Sequence, residues 1–142
     1  MRCPPTWPNL ILTSDSFTVM SITARFGGTV PNSRTCTWTA NRSGRLMHLH
    51  GHVHDGAVNL TVDNASTGRR LCDSRAGYGE SPAYIGHHGE PHISSMSICM
   101  GVNGAPIDTI GTGNRIQLEA HYTLEAPVTD AMGISIMYLA PA

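Results

Sequence analysis

Residues 47–55 read MHLHGHVHD, with His48, His50, His52 and His54 at every second position and Leu49, Gly51 and Val53 between them. A period of two is the mark of a strand, in which successive side chains point to opposite faces. Met47, Leu49, Gly51 and Val53 then share one face and the four histidines share the other. The apolar set belongs in a core, so the imidazoles form an outward row.

The flanking chain repeats the pattern. In VNLTVD, Val58, Leu60 and Val62 fall inward with Asn59 and Thr61 outward; in RIQLEAHY, Ile116, Leu118 and Ala120 fall inward with Gln117, Glu119 and His121 outward. GISIMYL near the end alternates likewise. Fifteen glycines and nine prolines supply frequent turns, and no window offers an amphipathic helix of useful length. The spacing predicts strands near 17–25, 35–40, 45–54, 57–63, 94–100, 106–110, 115–123 and 132–139. The fold expected is an all-β antiparallel sandwich or jelly roll. Residues 73–92, DSRAGYGESPAYIGHHGEPH, show no period and read as a long Gly/Pro/His-rich loop, of the kind that is usually functional or mobile.

The 142 residues suffice for one domain with a real core. Only 13% of them are charged, lysine is absent, and the net charge is -1, so nothing recommends a nucleic acid or an anionic membrane as partner. Protonating all eight histidines would carry the charge from -1 to +7, so a pH-responsive protein stands among the alternatives. Hydrophobic runs fall well short of the roughly 20 residues that span a bilayer. The opening MRCPPTWPNLIL lacks an apolar stretch followed by a small-residue cleavage site; if the protein is secreted, the expectation is a mature form in which Met1 is an addition.

Cys3, Cys36, Cys72 and Cys99 are even in number, widely spaced and without a CxxC pair, which favours two disulfides over a metal knuckle or a redox site. Three acceptor sequons begin at Asn41, Asn59 and Asn64. Both features point to a secreted, glycosylated protein.

Taken together these segments resemble a CUB domain, an extracellular jelly roll. Cys36-Thr37-Trp38-Thr39 is similar to that family's C-x-W strand opening, and Gly68-Arg69-Arg70-Leu71-Cys72 to its G-x-x-x-C step. Ile110 to Ile116, with Gly113-Asn114 inside, and Gly133 to Tyr138 are similar to its closing strands. The resemblance implies a Cys3–Cys36 bridge. Cys72–Cys99 would then close an insertion of about thirty residues, worth roughly 3 kcal/mol in the chain-entropy model. It implies adhesion or recognition of protein or carbohydrate through the loop 73–92 (Tyr78, Tyr84, His87, His88 and His92) and the tips 26–34 and 124–131. Positions matching the family's calcium ligands fall at Ala57, Val58 and Thr123, none a carboxylate, so calcium is not expected.

Beside recognition or self-association stands a metal reading. Strand residues two apart lie roughly 6.5–7 Å apart, close enough for two imidazoles to share an ion at about 2.0–2.1 Å. Further ligands would come from His87, His88, Glu90 and His92, or from His121 or Asp55, with zinc or copper as the ion. The alternative is a plain solvated strand face. HLHGH also matches a run of the multicopper oxidases, but those need four HxH motifs and a His-Cys-His segment. A mononuclear copper or zinc enzyme is the third reading; hydrolytic chemistry has no G-x-S-x-G elbow to rest on.

Overall fold

The computed structural model describes the backbone of residues 12–14, 17–26, 33–123 and 131–142, and within these ranges the side chains from residue 35 onward. Among the described residues there are eleven strands: β1 Leu12–Ser14, β2 Phe17–Phe26, β3 Ser33–Thr39, β4 Gly44–Val53, β5 Ala57–Asn64, β6 Arg69–Tyr78, β7 Ile93–Met96, β8 Ile98–Met100, β9 Asp108–Ile110, β10 Arg115–Tyr122 and β11 Ala131–Ala140. They make two antiparallel sheets, ordered β1-β2-β11-β4-β8 with β9 also on β4, and β3-β10-β5-β6-β7. The expected all-β sandwich is what the chain builds.

Between the sheets lie Leu46, Leu49 and Val53 of β4, Leu60 and Val62 of β5, Ile116, Leu118 and Tyr122 of β10, and Met137 of β11. Alternation puts them there, and burying each large apolar side chain stabilises by about 1.5–3 kcal/mol. Two expected core residues are corrected by β-bulges, each of which inserts one extra residue and reverses the alternation beyond it. Tyr138 faces His48 but Leu139 faces Leu46, so Met47 is the extra residue; it is half-buried while Leu46 takes the core position. Similarly His121 faces Asn59 but Tyr122 faces Ala57, leaving Val58 41% exposed and Ala57 inside.

The expected loop 73–92 is also corrected. Its first six residues continue β6, whose Leu71, Cys72 and Ser74 are buried. Their charged neighbours hide the alternation, and a register shift beside Val62 breaks what remains. The loop proper is 79–92. The single strand expected over 94–100 divides at Ser97: β7 pairs with β6 in one sheet and β8 with β4 in the other. Ser97 is held at that corner by its amide donating to the Arg75 carbonyl (2.8 Å) and its carbonyl accepting from Ser74 Oγ (2.6 Å). Close by, the Cys72–Cys99 disulfide joins β6 to β8 and so ties one sheet to the other. Cys36 is disulfide-bonded too; its expected partner, Cys3, lies outside the described residues.

Candidate functional site

The histidine row stands on the outer face of β4, as the alternation requires. It is not simply wet. On one side Tyr138, Ile136 and Ile134 of β11 face His48, His50 and His52; on the other, Met100 and Ile98 of β8 face His48 and His50. The His48 ring stacks on Tyr138 with centroids 4.8 Å apart. The row divides into pairs, His48 with His50 at 5.5 Å and His52 with His54 at 5.6 Å. Burial, and then the neighbouring His48, lowers the pKa of His50; burial and His54 do the same to His52. Both imidazoles are therefore neutral at neutral pH. Nε2 of His48 and Nδ1 of His50 are buried with no hydrogen-bond partner in the protein, each an unfavourable placement of about 1–3 kcal/mol.

Where β4 ends, an open groove of about 770 Å³ begins. Its lining mixes polar side chains, His52, His54, Asp55, Ser94 and Ser95, with apolar and aromatic ones, Val53, Tyr84, Ile93 and Met96. Tyr84 is 42% exposed and sits in a single-turn 3-10 helix, Pro82–Tyr84. The 79–92 loop that carries it is internally fastened: the Gly79 amide donates to the His92 carbonyl (3.0 Å), and the His92 amide to the Tyr84 carbonyl (2.8 Å). Asp55 bolts this loop to the β4–β5 turn. One carboxylate oxygen accepts from His92 Nδ1 at 2.6 Å and the other from the Ile93 amide at 2.8 Å. The hydrogen bond from Asp55 raises the pKa of His92. Burial pushes the Asp55 carboxyl upward, but the bonds from His92 and the Ile93 amide outweigh it and the pKa falls.

The remaining residues singled out by sequence scatter. His87 and His88 are exposed at the loop tip, and His121 stands on β10 of the other sheet with Nε2 3.5 Å from Thr61 Oγ1. His87, His88 and His121 are thus not assembled with the row, while His92 meets its end through Asp55; among the described residues no three His, Cys, Asp or Glu side chains gather around one point. Tyr78 is not a free binding residue: its hydroxyl donates to the Ala57 carbonyl (2.6 Å) and accepts from the Gly56 amide (3.0 Å). Asn41 is exposed. Asn59 donates to Asp73 at 2.5 Å, and Asn64 is fully buried, with its amide nitrogen 3.4 Å from Asn114 Oδ1.

Sequence reasoning missed Tyr122, whose buried hydroxyl donates to the Met132 carbonyl (2.5 Å) and accepts from the amides of Met132 (3.0 Å) and His54 (3.2 Å). It joins the end of the histidine row to β11. Tyr138 and Met100 were missed as well, although Tyr138 follows from β11 carrying its larger residues, Ile134, Ile136 and Tyr138, on the outer face.

The family model described as Stress up-regulated Nod 19 (SURNod19) matches residues 17–142. The chain belongs to the SURNod19 family. This overturns the resemblance to CUB domains, whose short motifs here serve generic needs of an antiparallel sandwich. The Gly113-Asn114 step is a turn device in the SURNod19 chain: Gly113 has φ +92°, and Asn114 Oδ1 accepts from the Gly111 amide at 2.8 Å. Trp38 packs against the core as an inward strand residue would in any such fold. With that resemblance goes the warrant for contact tips at 26–34 and 124–131; residues 27–32 and 124–130 also lie outside the described residues. No curated protein and no solved structure matches the chain.

Proposed function

We propose that this SURNod19 domain is a secreted, non-enzymatic recognition module that holds a carbohydrate in the groove between the end of β4 and the 79–92 loop. The groove's mixed lining, apolar and polar side chains together, carries the proposal. A sugar ring is two-sided, with C–H faces that stack on an aromatic and hydroxyls that need donors and acceptors. Tyr84, Ile93 and Met96 suit the faces, and His52, His54 and Asp55 suit the hydroxyls. Asp55 retains acceptor capacity beyond its two bonds, because an ionised carboxylate has about four lone-pair sites. The Asp55–His92 bond keeps the loop, and with it Tyr84, in register with the histidines.

Secretion is supported by the cysteines: Cys72–Cys99 is bonded, Cys36 is bonded, and among the described residues none is free. Such bonds persist in oxidising compartments. Of the three sequons, Asn41 is the one whose amide stands exposed, and we assign it the glycan.

The test is an amide-resolved NMR titration with neutral oligosaccharides (cello-, xylo- and manno- series) at millimolar concentration. Saturable shifts confined to residues 52–55, 84 and 93–96, lost in Tyr84→Ala, support the reading. No saturable shift with any series, or shifts elsewhere on the fold, would refute it.

A further inference from the structure

The outer face of β4 poses a separate question. His48 and His50 sit in the middle of a small apolar field: Tyr138 and Ile136 face them across one ladder, Met100 and Ile98 across the other. Each presents a ring nitrogen that is buried and finds no partner in the protein. Nothing in the fold of the sheet uses these nitrogens. The feature calls for a ligand that takes up imidazole lone pairs in apolar surroundings, which is what a soft metal ion does.

Geometry agrees. Two imidazoles on one ion at about 2.0 Å, each nitrogen roughly 1.1 Å from its ring centre, have centroids about 5–6 Å apart for bond angles near 110–130°. The His48 and His50 centroids are 5.5 Å apart. A third donor lies opposite His48. Met100 is its cross-strand partner on β8, and at 69% exposure its thioether is free to swing over the pair. Directly opposed residues in an antiparallel pair have Cβ atoms about 4.5–5.5 Å apart, well within the reach of a methionine side chain. The His48–Tyr138 stack fixes one ring in advance.

We propose that His48, His50 and Met100 form a binding site for monovalent copper on the outer face of β4. Two imidazoles and a thioether make a soft, low-coordinate donor set, which selects Cu(I) over zinc; zinc prefers four ligands. The other pair, His52–His54, borders the open groove beside the Asp55 carboxylate, an environment suited to harder ions.

The experiment is anaerobic titration of the full chain with Cu(I) against a chromogenic Cu(I) chelator, with free thiols assayed to confirm that the disulfides stay closed. The wild type should withdraw one equivalent. His48→Ala/His50→Ala should withdraw none, Met100→Leu should bind at least tenfold more weakly while its zinc affinity is unchanged, and His52→Ala/His54→Ala should match the wild type. As a second readout that needs no variant, the Met100 ε-methyl NMR signal of the wild type should shift on addition of one equivalent of Cu(I), the other described methionines staying in place. No uptake by the wild type, a wild-type affinity in Met100→Leu, loss of uptake in His52→Ala/His54→Ala, or an unmoved Met100 methyl would each overturn the proposal.

Discussion

Gly51 lies at the centre of the histidine row, and Gly51→Ala tests which way the row faces. If histidines point outward, residue 51 points inward, between the sheets. A Cβ built there would stand 2.9 Å from Leu60 Cδ2, 3.0 Å from Leu60 Cβ and 3.2 Å from Ser74 Cβ. Leu60 and Ser74 are themselves fully buried, so neither can retreat toward solvent. Overpacking of this kind costs about 1–3 kcal/mol. Gly51 is not at positive φ, so alanine meets no backbone penalty, and its smaller unfolded-state entropy offsets about 0.4–1 kcal/mol. From the middle of each range the net loss is about 1.3 kcal/mol, out of a total stability of about 5–15 kcal/mol. In urea melts followed by tryptophan fluorescence the midpoint should fall by roughly 0.5–1 M, with an unchanged slope. His52→Ala, on the outward face of the same strand and only partly shielded by its neighbours, is the reference and should stay within about 0.5 kcal/mol of wild type. An alanine variant as stable as wild type, or more stable, would mean that residue 51 faces open space and that the core has been placed on the wrong side of β4.

Tyr122→Phe removes one hydroxyl that serves two amides and a carbonyl; at about 1–3 kcal/mol per stranded group it should cost about 3 kcal/mol or more, read in the same melts, with faster amide exchange at His54 and Met132. A Cys72→Ser/Cys99→Ser double variant should lose about 3 kcal/mol, because the bridge closes a separation of 27 residues; an unchanged urea midpoint would contradict that. The Asp55–His92 bond should make loop closure depend on pH in two directions. Asp55 is depressed below 3.8, so its contribution is present above that value and lost as pH falls through the lower folded pKa. His92 is raised above 6.5, so its contribution is complete below 6.5 and lost as pH rises through the higher folded pKa. Protection of the Ile93 amide, normalised for intrinsic exchange, should be greatest between about pH 4 and 6.5, and Asp55→Asn should flatten the profile.

The sequence carried the fold wherever two-residue alternation ran undisturbed: β10 and the stretch Leu49 to Val53 face as their periods demand. It failed at bulges, because a bulge is a property of two strands in register and one strand does not reveal it. Met47 and Val58 therefore look like core residues in the sequence and are not. β6 was hidden because Arg69, Arg70, Asp73 and Arg75 dominate its composition, while the neighbours that bury Leu71, Cys72 and Ser74 come from elsewhere in the chain. At the candidate site the four histidines were legible, but their company was not. The stack of His48 on Tyr138 joins residues ninety positions apart, and Met100 reaches His48 only because the chain changes sheets at Ser97. The Asp55–His92 bond likewise spans two loops with no shared pattern. His121 does not join the row for the same reason: both point outward, but from opposite sheets.

The direct test of the account is a set of side-chain NOEs in the isotope-labelled protein. We predict contacts from the His48 ring protons to the Tyr138 ring, and from the Gly51 α-protons to the Leu60 methyls. NOEs from any of the His48, His50 or His52 rings to Leu60, Leu118 or Met137 would place imidazoles between the sheets and contradict both the orientation of β4 and the site built on it.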